Sequence, residues 1–451
     1  MEILIKAGQL ILSLSILIVL HEFGHYLPAR WFKTRVEKFY LFFDYKFSLF
    51  KKKIGETEWG IGWIPLGGYV KISGMIDESM DKEQMKQPPK PYEFRSKPAW
   101  QRLIIMIGGV VVNMIVGIFI YILVLFTWGE EYLAPENVHN GYAFHDYYKD
   151  LGFKDGDNVI AVDGEMPKDV IDINKYILLR GAQEITVERN GVDTTIILPE
   201  EVDMEAFKEG AMQGIIPRFY AIMDSVLAPN PEEGEGEAEL RPAYIAGFEN
   251  GDSVVAINNQ PIVFWDEFTS IVNDSKNETV AIDFYRNGSQ MTQEVNVDST
   301  GKIGAAPKSL KESFIISHDD YSFGESIPGG LTLGVNTLKD YVAQLKFLFT
   351  EKGASSIGGF GAFGSLFSPT WDWEVFWNMT AFISIMLAFM NFLPIPALDG
   401  GHIMFLLYEM ISGRKPNEKF MEYAQLFGII LLLSLLVYAN GNDLYKAIFG
   451  G

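Results

Sequence analysis

The 451-residue chain contains no cysteine, so disulfide bonds, iron–sulfur clusters and metal sites built on thiolates are all excluded. Histidine is also scarce, with six in the whole chain. Basic residues are outnumbered, because 37 Lys and Arg stand against 58 Asp and Glu and leave a net charge of −21. A strongly acidic chain without basic clusters, apart from those that flank apolar runs, argues against nucleic acid as a partner.

Charged residues are nearly absent from four long stretches, although the chain as a whole is acidic. Hydrophobic residues make up 48% of the sequence, so apolar and acidic residues must lie in different regions, as in a membrane protein with a soluble acidic domain. The runs long enough to cross a bilayer are residues 3–20, 103–126, 375–398 and 423–442. The first run lacks a basic flank and a small-residue cleavage site, so we expect a retained span and not a signal peptide.

The loops between these runs differ in charge. Residues 30–102 contain 15 basic and 9 acidic residues, whereas residues 127–376 contain 17 basic and 42 acidic residues. Because loops rich in Lys and Arg stay in the cytoplasm, we expect residues 30–102 inside. Both termini and the large acidic segment are then predicted to lie outside.

The motif His21-Glu22-Phe23-Gly24-His25 lies at the inner end of the first apolar run. Two histidines four residues apart share one face of a helix and can bind one metal ion. Glu22 points to the side of that pair, where it can reach a water without being a ligand, as a zinc protease requires. Ionisable groups inside a membrane-length segment cost roughly 2.5 to 3.5 kcal/mol each, so they are usually kept for function.

A third metal ligand is expected near the end of the third apolar run, at residues 391–402. Two prolines there break the helix and leave an acid, Asp399, inside the bilayer, which is tolerated where a broken helix lines a cavity. Since the first and third runs both enter from outside, His21 and Asp399 reach similar depths. We therefore predict Asp399 as the third ligand. The alternative is His402, which lies beyond a glycine pair and nearer the cytoplasm.

Two stretches of the first loop, residues 36–49 and 57–72, have β-like patterns. In the second stretch Gly60 and Gly62 would let another backbone approach closely, so residues 60–72 are predicted to receive an extended peptide by strand addition. A plain hairpin with flexible turns is the alternative. The polar residues 77–91 that follow are expected to form a mobile cytoplasmic loop.

Three further segments carry weaker patterns. In the second span Gly108, Gly109 and Asn113 form a small-residue face, which we interpret as helix packing. Residues 321–349 have apolar positions at helical spacing, which predicts an amphipathic helix on the membrane surface or on the acidic segment. The glycine-rich residues 353–367 are expected to be a flexible approach to the third span.

The acidic segment contains an internal repeat. Residues 151–164 recur as residues 245–259, with an offset of 95 between Gly152 and Gly247. Such a repeat predicts two copies of one small mixed α/β domain. The acidic residues 229–239, rich in proline and glycine, are typical of a linker.

These motifs together resemble the site-2 protease family of intramembrane zinc metalloproteases, and more closely its RseP-type branch, the regulators of sigma-E. The motifs that carry the resemblance are His-Glu-Phe-Gly-His at 21–25, Gly-x-Gly at 60–62, Gly-x-x-x-Asn at 109–113, the tandem repeat and Asn-x-x-Pro-x-Pro-x-Leu-Asp-Gly at 391–400. The chain departs from the family at Gly358-Gly359, where relatives often have Gly-Pro, and at Asn258-Asn259, in place of an Asp/Asn-Gly turn.

The resemblance implies a fold, a cofactor and site residues. The fold is a polytopic α-helical membrane protein with four transmembrane helices, a cytoplasmic membrane-associated β region and an extracytoplasmic tandem of PDZ-like α/β domains. The implied cofactor is Zn²⁺. The implied site residues are His21, His25 and Asp399 as zinc ligands, Glu22 as catalytic base, and Asn391, Gly60 and Gly62 as substrate contacts. The expected segments are residues 1–30 (first transmembrane helix), 31–102 (cytoplasmic loop with β strands), 103–126 (second transmembrane helix), 127–224 and 225–310 (PDZ-like domains), 311–374 (amphipathic helix and glycine-rich connector), 375–402 (third transmembrane helix), 403–422 (cytoplasmic loop) and 423–442 (fourth transmembrane helix).

The implied function is cleavage of single-span membrane proteins within the bacterial inner membrane, with the PDZ-like domains gating access. Anti-sigma factors already trimmed by a first protease, and remnant signal peptides, are the implied substrates, in a stress response. Two other functions are alternatives. A catalytically silent scaffold that binds partners through its PDZ-like pair should have lost Glu22 or Asp399. A metal transporter should place acids and histidines along several spans, whereas here they cluster at one depth.

Overall fold

The computed structural model describes residues 1–65, 67–75, 87–227 and 241–449. The predicted linker 229–239, and the predicted loop 77–91 up to residue 86, lie outside the described residues. The chain divides into two compact units. We call Met1–Glu130 with Asp320–Gly451 the membrane unit, and Glu131–Asp319 the repeat unit.

Helices and strands are numbered in chain order within the described residues. The helices α1 to α14 are Glu2–Trp31, Ala99–Trp128, Asp146–Asp150, Ile173–Leu179, Val202–Glu209, Pro242–Ile245, Trp265–Asp274, Leu310–Ser313, Phe323–Gln344, Glu351–Ser355, Phe360–Ser365, Trp373–Phe392, Asp399–Ser412 and Glu418–Phe449. The strands β1 to β17 are Val36–Leu41, Phe50–Ile54, Thr57–Ile61, Tyr69–Ile72, Glu130–Tyr132, Tyr142–Phe144, Asn158–Val162, Glu184–Arg189, Val192–Ile197, Ile215–Pro217, Met223–Val226, Ser253–Ile257, Gln260–Pro261, Thr279–Arg286, Ser289–Asn296, Ala305–Pro307 and Ser317–Asp319.

Four helices of the described residues are long and apolar enough to cross a membrane, namely α1, α2, α12 and α14. The predicted number of four spans is therefore confirmed. Helix α1 continues past the predicted span, through the His-Glu-Phe-Gly-His motif, to Trp31. Because the motif is part of the helix, both histidines keep the four-residue spacing that places them on one face.

The third span is broken where the two prolines stand, as predicted. Helix α12 ends at Phe392 and α13 begins at Asp399. The expectation of a loop over residues 403–422 is wrong, because α13 continues to Ser412 and α14 begins at Glu418. The reason lies in the core. Ile403 and Leu406 of α13 are buried in a cluster with Ala29 and Ile105, and their burial favours a helix over a solvated loop.

Helices α1 and α2 touch backbone to backbone at Gly24 and Gly108. A Cβ atom added to Gly24 would lie 2.4 Å from the carbonyl oxygen of Gly108, and one added to Gly108 would lie 2.0 Å from that of Gly24. Only glycine at both positions permits this distance, as in other small-residue helix contacts in membranes. The helix-packing interpretation of Gly108 agrees with this contact.

The membrane unit contains a four-stranded sheet with the order β2-β3-β1-β4. Strand β1 pairs in parallel with β3 and antiparallel with β4, and β2 pairs antiparallel with β3. The predicted strand at 36–49 is correct only for β1, and the predicted strand at 57–72 is two separate strands, β3 and β4. Gly60 therefore belongs to an inner strand, and the edges of the sheet are β2 and β4.

The space beside Gly60 and Gly62 is filled by this chain itself. A Cβ atom on Gly60 would lie 2.3 Å from the ring of Tyr40, and one on Gly62 would lie 2.2 Å from the carbonyl oxygen of Phe43. The close approach that these glycines permit is thus internal to the sheet. Of the predicted peptide-receiving stretch 60–72, only β4 lies at an edge.

Helix α9 is the predicted amphipathic helix, and it packs alongside α2 in the membrane unit. Its packing face is made of small residues: Cβ atoms on Gly330 and Gly334 would lie 2.5 and 2.7 Å from Ile122 and Ile118 of α2. The apolar positions at helical spacing are divided: Leu331 and Val335 are exposed, whereas Leu338 packs against the buried cluster that includes Ile120 and Tyr121 of α2. The predicted helix is present, but only part of its apolar stripe packs against the membrane unit.

The glycine-rich residues 353–367 form two short helices, α10 and α11, so the expectation of a flexible segment is wrong. The carboxylate of Asp443 on α14 accepts hydrogen bonds from the backbone N–H groups of Gly359 and Ala362, at 3.0 and 3.1 Å. The Asn440 side chain accepts a third, from Phe360, at 3.2 Å. The polar end of α14 thus caps the N-terminus of α11.

The repeat unit shows the predicted internal symmetry in its side chains. Arg189, at the end of β8, pairs with the buried Asp157 at 2.6 Å, and Arg286, at the end of β14, pairs with the buried Asp252 at 2.6 Å. Each arginine also donates to a backbone carbonyl, that of Gly152 or Gly247. The same ion pair therefore closes the same turn in both copies.

Arg218 joins the two copies. It follows β10 of the first copy, and its guanidinium donates to Asp266 at 2.7 Å and to Glu267 at 2.8 Å, at the start of α7 in the second copy. Burial raises the pKa of Glu267. The N–H groups of Val263 and Phe264, together with Arg218, lower it by more than burial raises it, so the pKa lies below its usual range. The ionised form of Glu267 is therefore favoured in the folded repeat unit.

Candidate metal centre

Two helices of the membrane unit bring three possible metal ligands together. The Nε2 atoms of His21 and His25 on α1 are 3.3 Å apart, and they lie 3.2 and 3.3 Å from Oδ2 of Asp399 at the start of α13. Ligand atoms at 2.0 to 2.1 Å from a zinc ion and at tetrahedral angles are separated by about 3.3 to 3.4 Å. The three atoms thus have the spacing of a tetrahedral zinc site with one position left for water or substrate.

The surroundings of these atoms also suit a metal. The side chains of His21, His25 and Asp399 are 14%, 6% and 16% exposed. Oδ2 of Asp399 is buried and accepts no hydrogen bond of acceptable geometry, although two imidazole nitrogens lie close to it. A buried carboxylate oxygen without a donor is costly unless a cation binds it. Two imidazoles and one carboxylate are a ligand set that zinc takes in peptidases.

The glycines around the helix break place Asp399. A Cβ atom on Gly400 would lie 2.0 Å from the carbonyl oxygen of Leu393, and one on Gly401 would lie 2.7 Å from Cα of Pro396. Without side chains at these two positions, α13 can begin directly against the broken end of α12. Asp399 in the first turn of α13 therefore reaches the two histidines.

Gly109 on α2 forms the floor of the site. A Cβ atom there would lie 2.4 Å from Nε2 of His25 and 2.7 Å from Cε1 of His21. The interpretation of Gly109 as a helix-packing residue is therefore incomplete, because its missing side chain also makes room for both imidazoles. Its place in the Gly-x-x-x-Asn motif, one turn from Asn113, was the only signal in the sequence.

The second ring nitrogens of both histidines also have partners on α2. Nδ1 of His25 lies 2.8 Å from the carbonyl oxygen of Ile105, and Nδ1 of His21 lies 3.2 Å from the side-chain amide of Asn113. The interpretation of Asn113 as a helix-packing residue is therefore incomplete, because its amide contacts a predicted ligand. Such partners orient metal-binding imidazoles.

Glu22 lies beside the three ligand atoms and does not belong to their group, whose members are within 4.8 Å of one another. The backbone of Val70 in strand β4 forms a hydrogen bond with its carboxylate. Gly68, just before β4, is also adjacent, since a Cβ atom there would lie 3.7 Å from Cγ of Glu22. An edge strand of the sheet therefore runs next to the predicted base.

The remaining candidates lie apart from this group. His402, the alternative third ligand, lies on α13 with its Nε2 atom 2.9 Å from the side-chain amide of Gln425 on α14. Among the described residues the metal-binding group contains His21, His25 and Asp399, without His402. Asn391 lies in the last turn of α12, partly exposed, and its predicted contact with substrate stays a prediction. The same holds for Gly60 and Gly62 in and beside the inner strand β3.

Four membrane-length helices, with two histidines and an aspartate converging beside a glutamate, define a membrane-embedded metallopeptidase. The chain belongs to peptidase family M50, whose model matches residues 9–435. This match covers the whole repeat unit and most of both segments of the membrane unit.

Relatives of similar length support the same conclusion. The chain is 29% identical over 470 residues to the regulator of sigma E protease of Salmonella typhi, covering 98% of this chain and 99% of the relative. It is 28% identical over 459 residues to the regulator of sigma-E protease RseP of Escherichia coli, covering 97% of each. A Neisseria meningitidis protein with a zinc metalloprotease name is 27% identical over 457 residues, covering 97% of this chain and 98% of the relative. The protein is an RseP-like intramembrane metalloprotease that uses zinc.

Proposed function

We propose that the protein cleaves the membrane-spanning segment of single-span membrane proteins, with zinc held by His21, His25 and Asp399. The observation that carries this proposal is the triangle of ligand atoms with 3.2 to 3.3 Å sides, next to Glu22 and an edge strand. The substrates that we propose are anti-sigma factors already trimmed by a first protease, as the names of the sigma-E relatives suggest. Remnant signal peptides have the same chemistry.

The chemistry follows from the positions of the side chains. Bound zinc supplies a Lewis acid that polarises the scissile carbonyl and makes a water molecule easier to deprotonate. Glu22 takes the proton of the attacking water and delivers it to the leaving amine nitrogen. The hydrogen bond from the Val70 backbone holds the Glu22 carboxylate beside the three ligands while it does so.

Strand β4 is the element that we propose to hold the substrate. A peptide bond inside a transmembrane helix is protected by the helix hydrogen bonds, so the helix must be extended before cleavage and its backbone groups need new partners. An edge strand offers those partners by strand addition. Strand β3 pairs on both sides, so Gly60 and Gly62 would act through the shape of the sheet and not by direct pairing. Asn391 is proposed to contact the extended substrate from the helix break.

The test of this function is cleavage in cells. The full-length protein is co-expressed with single-span anti-sigma factors, as intact and as first-cleaved forms, and the shorter fragment is detected by immunoblot. Glu22→Gln should retain zinc and lose cleavage, because Glu22 moves protons and binds no metal. His21→Ala should lose both zinc and cleavage. Cleavage retained by Glu22→Gln would overturn the proposed role of Glu22.

We further propose that the two copies of the repeat unit are PDZ-like domains that gate access on the extracytoplasmic side of the bacterial inner membrane. The loop charges support this orientation, since residues 127–376 are strongly acidic. Deleting residues 141–308, with a short linker, should allow cleavage of a substrate that keeps a large external domain. If the repeats recruit substrate instead, the deletion should raise the KM of the short form. Loss of turnover for both forms, in a folded and zinc-loaded protein, would contradict gating.

A further inference from the structure

Asn113 is the residue of α2 whose side-chain amide touches a predicted zinc ligand. It is 1% exposed, and its amide lies 3.2 Å from Nδ1 of His21. A neutral imidazole carries a hydrogen on one nitrogen and a lone pair on the other. Since Nε2 of His21 faces Asp399 and the proposed metal, Nδ1 must carry the hydrogen when a metal takes the lone pair of Nε2. The partner of Nδ1 must then be an acceptor.

His25 shows the arrangement that this requires. Its Nδ1 atom lies 2.8 Å from the carbonyl oxygen of Ile105, which can only accept. Nδ1 of His25 therefore carries the hydrogen, and Nε2 presents its lone pair to the metal position. The same helix, α2, supplies the partner of both ring nitrogens, from Ile105 and, two turns later, from Asn113.

The oxygen of the Asn113 amide is available to accept this hydrogen bond. Oδ1 is buried and has no hydrogen-bond partner, while Nδ2 faces the ring of His21. With a hydrogen on Nδ1, two hydrogen-bearing groups would face each other in that orientation. Rotation of the amide by half a turn exchanges the two atoms and nearly preserves its shape. The rotation brings Oδ1 of Asn113, which otherwise accepts no hydrogen bond, next to Nδ1 of His21, which needs an acceptor.

We propose that Asn113 is a positioning residue, whose Oδ1 accepts a hydrogen bond from Nδ1–H of His21 and so keeps Nε2 free to bind zinc. This inference deepens the proposed function, and it concerns the affinity for zinc and not the cleavage step. Replacing such outer partners weakens metal binding in other proteins by about 10- to 100-fold. Ser384 of α12 donates a hydrogen bond to the backbone carbonyl of Asn113 at 2.7 Å, a contact that does not involve the side-chain amide.

The experiment measures zinc affinity of the full-length protein in detergent, by competition with a chromogenic chelator. Asn113→Leu, which has no acceptor, should bind zinc about 10- to 100-fold more weakly. Asn113→Asp, which has the same shape and only acceptors when ionised, should stay within about threefold of the natural chain. Ser384→Ala is the matched control, because it alters the contact with α12 at the same residue without touching the amide, and it should bind as tightly as the natural chain.

Each result decides one point. If Asn113→Leu binds zinc normally, the positioning role is wrong. If Asn113→Asp binds as weakly as Asn113→Leu, the amide acts as a donor and the proposed acceptor role is wrong. If Asn113→Leu does not fold, Asn113→Ala replaces it with the same expected loss. Because zinc binding is measured in the absence of substrate, these outcomes do not depend on whether the protein cleaves the proposed substrates.

Discussion

His402 lies three residues from Asp399 in the sequence, and the two side chains have entirely different surroundings in the structure. Asp399 converges with two histidines, whereas His402 contacts Gln425 on α14. We expect Asp399→Ala to lose zinc by more than about 100-fold in affinity, because one of three ligands is removed. His402→Ala should bind zinc as tightly as the natural chain. Metal analysis of the two purified variants checks this. If the His402→Ala protein contains no zinc, the assignment of His402 as a metal ligand is correct after all.

The backbone N–H groups of Val263 and Phe264, together with Arg218, make Glu267 a source of acid sensitivity in the repeat unit. The pKa of Glu267 is lowered from its usual 4.5 in the folded state. The stabilisation of the folded repeat unit by ionised Glu267 is therefore fully present above about pH 4.5. It is lost as the pH falls through the lower pKa that Glu267 has in the folded state. In a thermal melt of the full-length protein in detergent, Glu267→Gln should lose less stability than the natural chain between about pH 5 and pH 3. Glu294→Gln, at an exposed position of β15, should behave like the natural chain.

At the scale of single residues, the sequence predicts those whose spacing is itself the signal. His21, His25 and Glu22 follow from helix geometry, and Asp399 from its place after two prolines. Gly109 and Asn113 could not be predicted as parts of the site, because their role depends on where α2 passes α1. That position is set by the contact of Gly24 with Gly108, which no spacing within one helix reveals.

Among the elements, strand β4 is the one whose position next to Glu22 has a direct test. A Cβ atom on Gly68 would lie 2.6 Å from Cγ2 of Ile18 and 2.7 Å from the carbonyl oxygen of Tyr40, so it would push β4 away from α1. Gly68→Ala should therefore keep zinc and reduce cleavage by at least about tenfold, if β4 holds the substrate. Gly364→Ala is the control, because a Cβ atom there meets nothing within 4 Å.

The measurement is the cleavage rate of one membrane substrate together with the zinc content of each variant. Normal cleavage by Gly68→Ala would argue against a substrate role for β4. A loss of zinc in the same variant would show that the glycine supports the metal centre instead. An equal loss in Gly364→Ala would mean that cleavage responds to any added methyl group in the membrane unit.

The elements also show where sequence patterns stop being informative. The four spans could be predicted because an apolar run of about 18 residues or more with at most one charge seldom occurs outside a membrane. The sheet could be predicted only in part, since a β pattern does not distinguish an inner strand from an edge strand or show that β3 and β4 are separate. The glycines at 353–367 favour a flexible segment by composition, although in the fold they allow the close caps from Asn440 and Asp443.

For the molecule as a whole, the missing cysteines make the orientation in the membrane directly measurable. A single cysteine at Gln290, exposed in the repeat unit, should react with an impermeant thiol reagent outside cells whose outer barrier has been permeabilised. A cysteine at Lys90, exposed in the loop before α2, should react only after the inner membrane is opened. The loop charges of residues 30–102 and 127–376 give this order. The reverse labelling would overturn the orientation, and the chain without cysteine is the background control.

The origin of the three ligands has a consequence for how the protein is made. Translation delivers His21 and His25 to the membrane at the start, whereas Asp399 follows only after three spans and both repeats have left the ribosome. The predicted metal centre therefore lacks one ligand until late in synthesis, when only the rest of α13 and α14 remain to be made. Until Asp399 has been made, the chain has only two of the three predicted ligands, so we expect it to bind zinc weakly and to leave nascent membrane segments uncut.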